Sequence, residues 1–212
     1  MKKFRTTTTL AALLSLGLVA APATAADNGK AGKAGTKSLA EVLAADGTKL
    51  DHNWRDFDIV EKAVLTVLKA KPDSPVGVLT QGRKRVTAFI PTDAAFRRLV
   101  TDLTGDSPKT EKATFQGVAS VADVDLLETI LLYHVVPGAT ITSDQAVKAD
   151  GVKLRTAQGG VIRVNVRKHD IRLDDRDFDD RNPKLIASAL DINRGNRQIA
   201  HGIHKVLRPS NL

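Results

Sequence analysis

Cysteine is absent from these 212 residues. That removes disulfide staples, thiolate-held zinc or iron–sulfur centres, a thiol nucleophile and a lipid-modified N-terminal cysteine. Aromatic side chains are scarce at 4%, so a core has to be assembled mainly from Val, Leu, Ile and Ala. No apolar run reaches the ~20 residues needed to cross a bilayer. There is no G-x-S-x-G elbow, no phosphate-binding P-loop and no H-E-x-x-H helix, and the five histidines do not converge with a nucleophile. No cofactor and no metal site is expected. What remains, 42% hydrophobic and 26% charged residues, is the composition of one ordinary globular domain.

The first residues read as an export signal. Lys2, Lys3 and Arg5 make a basic start, Leu10 to Ala21 an apolar stretch, and Ala23-Thr24-Ala25 the small residues that a signal peptidase needs. Cleavage is expected after Ala25, leaving a secreted, extracellular protein without a transmembrane anchor, released or loosely held at a cell wall. The leader and the missing lipobox cysteine fit a bacterial source. Three positive side chains of the net +8 belong to the leader. The modest excess left favours anionic glycans, envelope polymers or lipid headgroups over nucleic acid, although a solvated basic surface explains it as well.

Residues 26–37, rich in Gly, Ala and Lys, read as a flexible linker. The domain is expected to begin at Ser38, where Ser38-Leu39-Ala40-Glu41 fits a helix capping box. A second box, Asp58 to Glu61, opens a helix with Ile59, Val60, Ala63, Val64, Val67 and Leu68 on one stripe. Residues 85–90 read as a strand and Pro91-Thr92-Asp93 as the start of another helix, capped by Thr92 or Asp93. A polar stretch over 104–116 reads as a surface excursion. Asp123 caps a helix through Val135, and Pro137-Gly138 stops it. Period-two patterns follow at 152–155 and 161–166 around Gly159-Gly160, a hairpin signal, and again at 171–173, 185–189 and 199–207. Helices first and strands later predict an α+β fold.

Three segments, in order, resemble the fasciclin (FAS1) family. Thr87-Ala88-Phe89-Ile90-Pro91-Thr92-Asp93-Ala94-Ala95-Phe96 is similar to its first signature. Leu131-Leu132-Tyr133-His134-Val135-Val136-Pro137-Gly138 is similar to its Tyr-His motif. The stretch from Ile199 through His201 to Val206, Leu207 and Pro209 is similar to its second signature. The resemblance spans about residues 38–210. It implies a wedge of short strands in two sheets with helices packed at one end and along the edge. Thr87, Phe89, Pro91, Thr92, Asp93, Phe96, His201, Val206, Leu207 and Pro209 are then structural, and Phe89 and Phe96 anchor the strand–helix corner. Asn196-Arg197-Gln198 departs from the family's usual Asn-Gly hairpin.

The resemblance also implies adhesion rather than catalysis, with an extracellular protein or an anionic glycan or envelope polymer as partner. Tyr133 and His134, linked in animal relatives to integrin-dependent adhesion, share a helical stripe with Leu126 and Ile130. That stripe also suits a packed ring and a satisfied core histidine. Asp191-Ile192 is similar to the family's other integrin element, and equally to a turn-capping Asp. Arg83-Lys84-Arg85 is the one compact basic cluster. The acidic run 174–180 could hold calcium weakly, or be neutralised by Arg172, Arg176 and Arg181 interleaved with it. His201 and His204, three apart on a strand, point to opposite faces and do not suit zinc. Two other functions stay open: a small-ligand carrier or hydrolase using a helix–sheet cleft, and an envelope-homeostasis partner of another exported protein.

Overall fold

The computed structural model describes residues 33–45, 47, 49–168 and 170–211. The chain divides after Gly32, and the unit Lys33–Leu212 carries every element described below. The expected leader, residues 26–32 of the expected linker, and His169 lie outside the described residues. The rest of that linker is tied down: Gly35 N–H donates to Gly195 at 2.9 Å and Gly35 O accepts from Arg197 N–H at 3.0 Å. No helix among the described residues is long and apolar enough to cross a membrane.

Helix α1 (Leu39–Leu43) opens on the expected capping box. Ser38 Oγ accepts from Glu41 N–H at 3.2 Å and the Glu41 carboxylate accepts from Ser38 N–H at 2.7 Å. The box expected for α2 (Asp58–Ala70) does not form, because Asp58 is already inside the helix and Phe57 holds the cap position. Its free Ile59 N–H is instead bonded by Asp93 Oδ1 at 2.9 Å, from the start of α3 (Asp93–Thr104). Asp93 therefore caps a neighbouring helix, and Thr92, at the N-cap of α3, makes no side-chain bond.

The polar stretch expected to be an excursion contains α4 (Glu111–Val121), with Thr110 capping Ala113 N–H. Its inward face begins with Glu111 and Thr114, both buried, and a hydrophobic pattern cannot show polar residues that face inward. Helix α5 (Val124–Tyr133), capped by Asp123, stops short of the expected end. His134 becomes its C-cap, and Val135 and Val136 leave it to pair with a strand.

That strand is β1 (Val86–Pro91), buried at every position. It pairs antiparallel with β2 (Val135–Pro137) and parallel with β6 (Gln198–Ile203). The short α6 (Ser143–Ala146) follows β2. A second antiparallel sheet joins β3 (Lys153–Arg155), β4 (Val161–Arg167) and β5 (Asp170–Asp174), with the hairpin turning at the expected glycines. Residues 185–189 form no strand. Leu185 bridges to Ile203, and Ala187–Ala189 is one 3₁₀ turn. Gly202 lets this segment pass, since a Cβ there would lie 2.6 Å from Ala189 Cβ. Strand β6 ends at Ile203 rather than Leu207.

The alternation along β1 separates two cores. Val86, Ala88 and Ile90 join Ile59, Ala63, Val67, Phe96 and Leu99 on the helical side. Phe89 faces the second sheet, against Ile162, Val164, Ile171, Leu173 and Ile203. Phe89 and Phe96 thus anchor different cores, not one shared corner. The result is α+β: one sheet covered by helices on one face and by the other sheet on the opposite face.

Candidate functional site

The Tyr-His pair points inward. Tyr133 is 0% exposed, and its Oη donates to Val161 O at 3.0 Å. Burial pushes its phenol up to about 12. His134 Nε2 accepts from Leu207 N–H at 2.9 Å, so Nδ1 carries the proton and donates to Ile130 O at 2.7 Å. Both rings are occupied in tying the second sheet and the C-terminal segment to α5, and neither presents a face to solvent.

Burial holds the His134 imidazole down at about 4. It is neutral in the fold at pH values where an unfolded histidine, near 6.5, is already charged. The unfolded chain therefore binds the extra proton between pH 6.5 and about 4, and stability present at neutral pH is lost as the pH falls through that window. His134→Gln removes this titration. The stability gap between wild type and variant, measured by urea titration, should shrink by up to about 3 kcal/mol from pH 7 to pH 4. Asp93 and Asp175, whose carboxyls burial raises, act in the opposite direction but equally in both proteins. A gap independent of pH would show that His134 does not set it.

Asp191 sits at φ 54°. Its carboxylate accepts from Ser143 N–H at 2.8 Å and Ser143 Oγ at 2.6 Å, and pairs with Arg194 at 3.3 Å. Burial raises its pKa, but the Ser143 donors, with His201 and Arg194, outweigh that and hold it below the usual range. Its own N–H donates to His201 Nδ1 at 3.3 Å, while His201 Nε2 donates to Ile141 O at 2.8 Å. Ile192 exchanges two backbone bonds with Ala200. Asp191 thus caps the start of α6 rather than standing free.

Sequence reasoning missed Gln198 and Arg208. Gln198 is fully buried. It accepts from Leu39 N–H at 2.8 Å and donates to Val78 O and Gln81 O at 2.7 and 3.1 Å. Arg208 neutralises the acidic run, a role the pattern assigned to the interleaved arginines. Its guanidinium bonds Asp177 at 2.7 Å and Asp102 at 3.0 Å, and its N–H donates to Asp175 at 2.9 Å. Lys205 pairs with Asp180 beside it. Asp177 is 3% exposed and Arg208 6%, so this is a buried ion network. Burial raises Asp175 to about 6 in spite of its donors.

Two surfaces remain, at opposite ends of the parallel β1–β6 pair. At the N-terminal ends, Arg83, Lys84 and Arg85 are exposed. Arg197, more than a hundred residues away in sequence, joins them by donating to Arg83 O at 3.2 Å. Lys37 lies close by, its N–H bonded to Asn196 at 3.0 Å. None of the five appears in an ion pair among the described residues. At the C-terminal ends lies a cleft of about 710 Å³. Leu43, Trp54, Phe57, Ala189 and Ile192 line it, with Arg55 and Arg98 as its cationic groups and His204, held below its usual pKa by burial and by Arg98, as a neutral imidazole. Arg97 stacks on Trp54 at 4.9 Å.

Asp56, also on the cleft, meets Asp93 and Glu111, with one oxygen of each within 4.8 Å of the others. Burial raises the Asp93 carboxyl to about 8; the Ile59 N–H opposes this, and Asp56 and Glu111 add to the rise. Glu111 Oε2 accepts from His52 N–H at 3.0 Å.

A sequence-family model, the Fasciclin domain, matches residues 63–209. Among solved structures, a FAS1 domain pair from the insect cell adhesion molecule fasciclin I is similar at 18% identity and a TM-score of 0.49. The match covers 72% of this chain and 47% of that one, so this chain spans about half the length of the pair. No curated protein matches.

Proposed function

The chain belongs to the fasciclin domain family, in general one of adhesion and binding modules, and from that premise we propose an exported, non-enzymatic module that docks on an anionic extracellular polymer. In this reading residues 1–25 are a leader, residues 26–37 a tether whose last residues, from Gly35, bond to the domain, and residues 38–210 the binding domain. The observation that carries it is the basic edge: Arg83, Lys84, Arg85, Arg197 and Lys37 gather at one end of a sheet, with no ion-pair partner among the described residues. A cation near an anionic surface contributes about 1 kcal/mol, so such an edge supports useful binding through many weak, salt-sensitive contacts.

Retention of the mature protein on an acidic polysaccharide, against a neutral glucan, tests this at low and moderate salt. Arg83→Ala with Lys84→Ala and Arg85→Ala should weaken binding about 100-fold at low salt, from three lost contacts of about 1 kcal/mol each. Unchanged retention would remove the edge from the site. Binding to intact cells that disappears after protease treatment of those cells would instead make the partner an exposed protein.

A second reading rests on the cleft. Its volume lies within the range of small-molecule sites, and an apolar floor with cationic groups suits an amphiphilic acid. A long-chain carboxylate that raises the melting temperature, with no polymer binding, would favour a carrier.

A further inference from the structure

We propose that Asp56, Asp93 and Glu111 bind a divalent cation of calcium's class beneath the cleft, whatever the outcome for polymer binding. The three carboxylates come from separate elements: the loop before α2, the first residue of α3 and the first residue of α4. One oxygen of each lies within 4.8 Å of the others. Oxygens on opposite sides of a calcium ion, each about 2.3–2.6 Å from it, are separated by about that much.

The enclosure of these groups is the second observation. Asp93 is 0% exposed and Glu111 1%. Glu111 Oε1 is buried and no hydrogen-bond donor reaches it, and Asp93 Oδ2 is buried with the Asp56 carboxyl beside it. Neither residue forms an ion pair among the described residues. A carboxylate oxygen withdrawn from water without a donor is costly unless a proton or a cation compensates it. All three ligands are hard oxygens, which favours calcium or magnesium over zinc or copper.

Asp56 lines the cleft, which supplies an entry path and room for the waters that complete the shell. The exposed Asp51 has a carboxylate oxygen within 4.8 Å of those of Asp56 and Asp58. Three protein carboxylates without a dedicated loop correspond to the weak affinity of extracellular calcium modules, about 10⁻⁴–10⁻³ M. An ion there would join the 51–57 loop to α3 and α4 and so stiffen one wall of the cleft.

Trp54, the sole tryptophan, is two residues from Asp56 and serves as an internal probe. Terbium(III) titrated into the mature protein should give saturable luminescence when excited through tryptophan, and calcium should displace it and raise the melting temperature. Glu111→Gln should weaken terbium and calcium binding about tenfold or more, while Asp106→Asn, at an exposed carboxylate, changes neither. If circular dichroism finds Glu111→Gln unfolded, Asp56→Asn takes its place and must give the same loss. Absence of saturable emission together with no calcium-dependent rise in melting temperature would overturn the site. So would wild-type affinity in Glu111→Gln, or a loss confined to Asp51→Asn, which would move the ion to the outer group.

Discussion

Tyr133→Ala should lower the unfolding free energy by about 3–5 kcal/mol, the cost of deleting a large buried ring that its surroundings cannot refill. Tyr133 is fully enclosed between α5 and the second sheet, with Phe89, Ile162, Leu173 and Leu207 in the same core. The packing is close enough that a Cβ on Gly160 would come within 2.8 Å of the ring. Tyr133→Phe keeps the ring and removes only the bond to Val161 O, so it should cost about 1 kcal/mol. Denaturant titration followed by circular dichroism and by Trp54 fluorescence measures both. If the Phe variant lost as much as the Ala variant, the hydroxyl and not the ring would be the anchor. A loss below about 1 kcal/mol for Ala would mean that the core closes over the gap.

Arg208→Ala should cost a similar amount, about 3–5 kcal/mol, by the opposite physics. Here the loss comes from what is left behind: Asp177 at 3% exposure without its cation, and Asp175 deprived of a nearby positive charge. Without the guanidinium these carboxyls protonate more readily, which relieves the charge, so the deficit should narrow as the pH falls toward about 6, where burial places Asp175 in the wild type. Arg208→Met combined with Asp177→Leu should recover most of the stability, because an apolar pair of similar volume needs no compensation. Failure of the double variant to recover would mean that Asp102 and Asp180, the other partners of this guanidinium, dominate the network. Arg208→Lys should not restore it, since a point charge cannot span separated carboxylates as the guanidinium fork does.

Much of the scaffold was legible before the structure. The Ser38–Glu41 box, the Asp123 cap and the β3–β4 hairpin are local devices, complete within a few residues, and each forms as its pattern predicts. Failures occurred where a residue's partner is remote. Val135 and Val136 read as the end of a helix, yet β1 takes them because its edge is open there. Asp93 sits three residues after Ile90 in a helix-start pattern, yet its side chain serves Ile59. Helix α4 was hidden because its first inward residues are Glu111 and Thr114, which no apolar periodicity marks.

The candidate sites were legible in the same uneven way. Arg83-Lys84-Arg85 could be read directly, but Arg197 joins that edge only because β6 lies parallel to β1 in register. The cleft was named only as a class of place, between helices and sheet. The Asp56, Asp93 and Glu111 group left no trace at all, since each carboxylate alone resembles a helix-start or loop acid.

The amino-acid order by itself determined the family, the α+β class, the starts of α1 and α5 and many of the apolar positions from which the two cores are built. The family is carried by three motifs in order; the rest follows from periodicity and capping, which act between residues a few positions apart. Only the tertiary structure decided where the polar and charged side chains make their bonds: Gln198 to Leu39, Arg208 to Asp102 and Asp177, Asp191 to Ser143. Whether such a group is exposed, neutralised or left seeking a cation depends on which distant segments enclose it, and that enclosure exists only once both cores have closed.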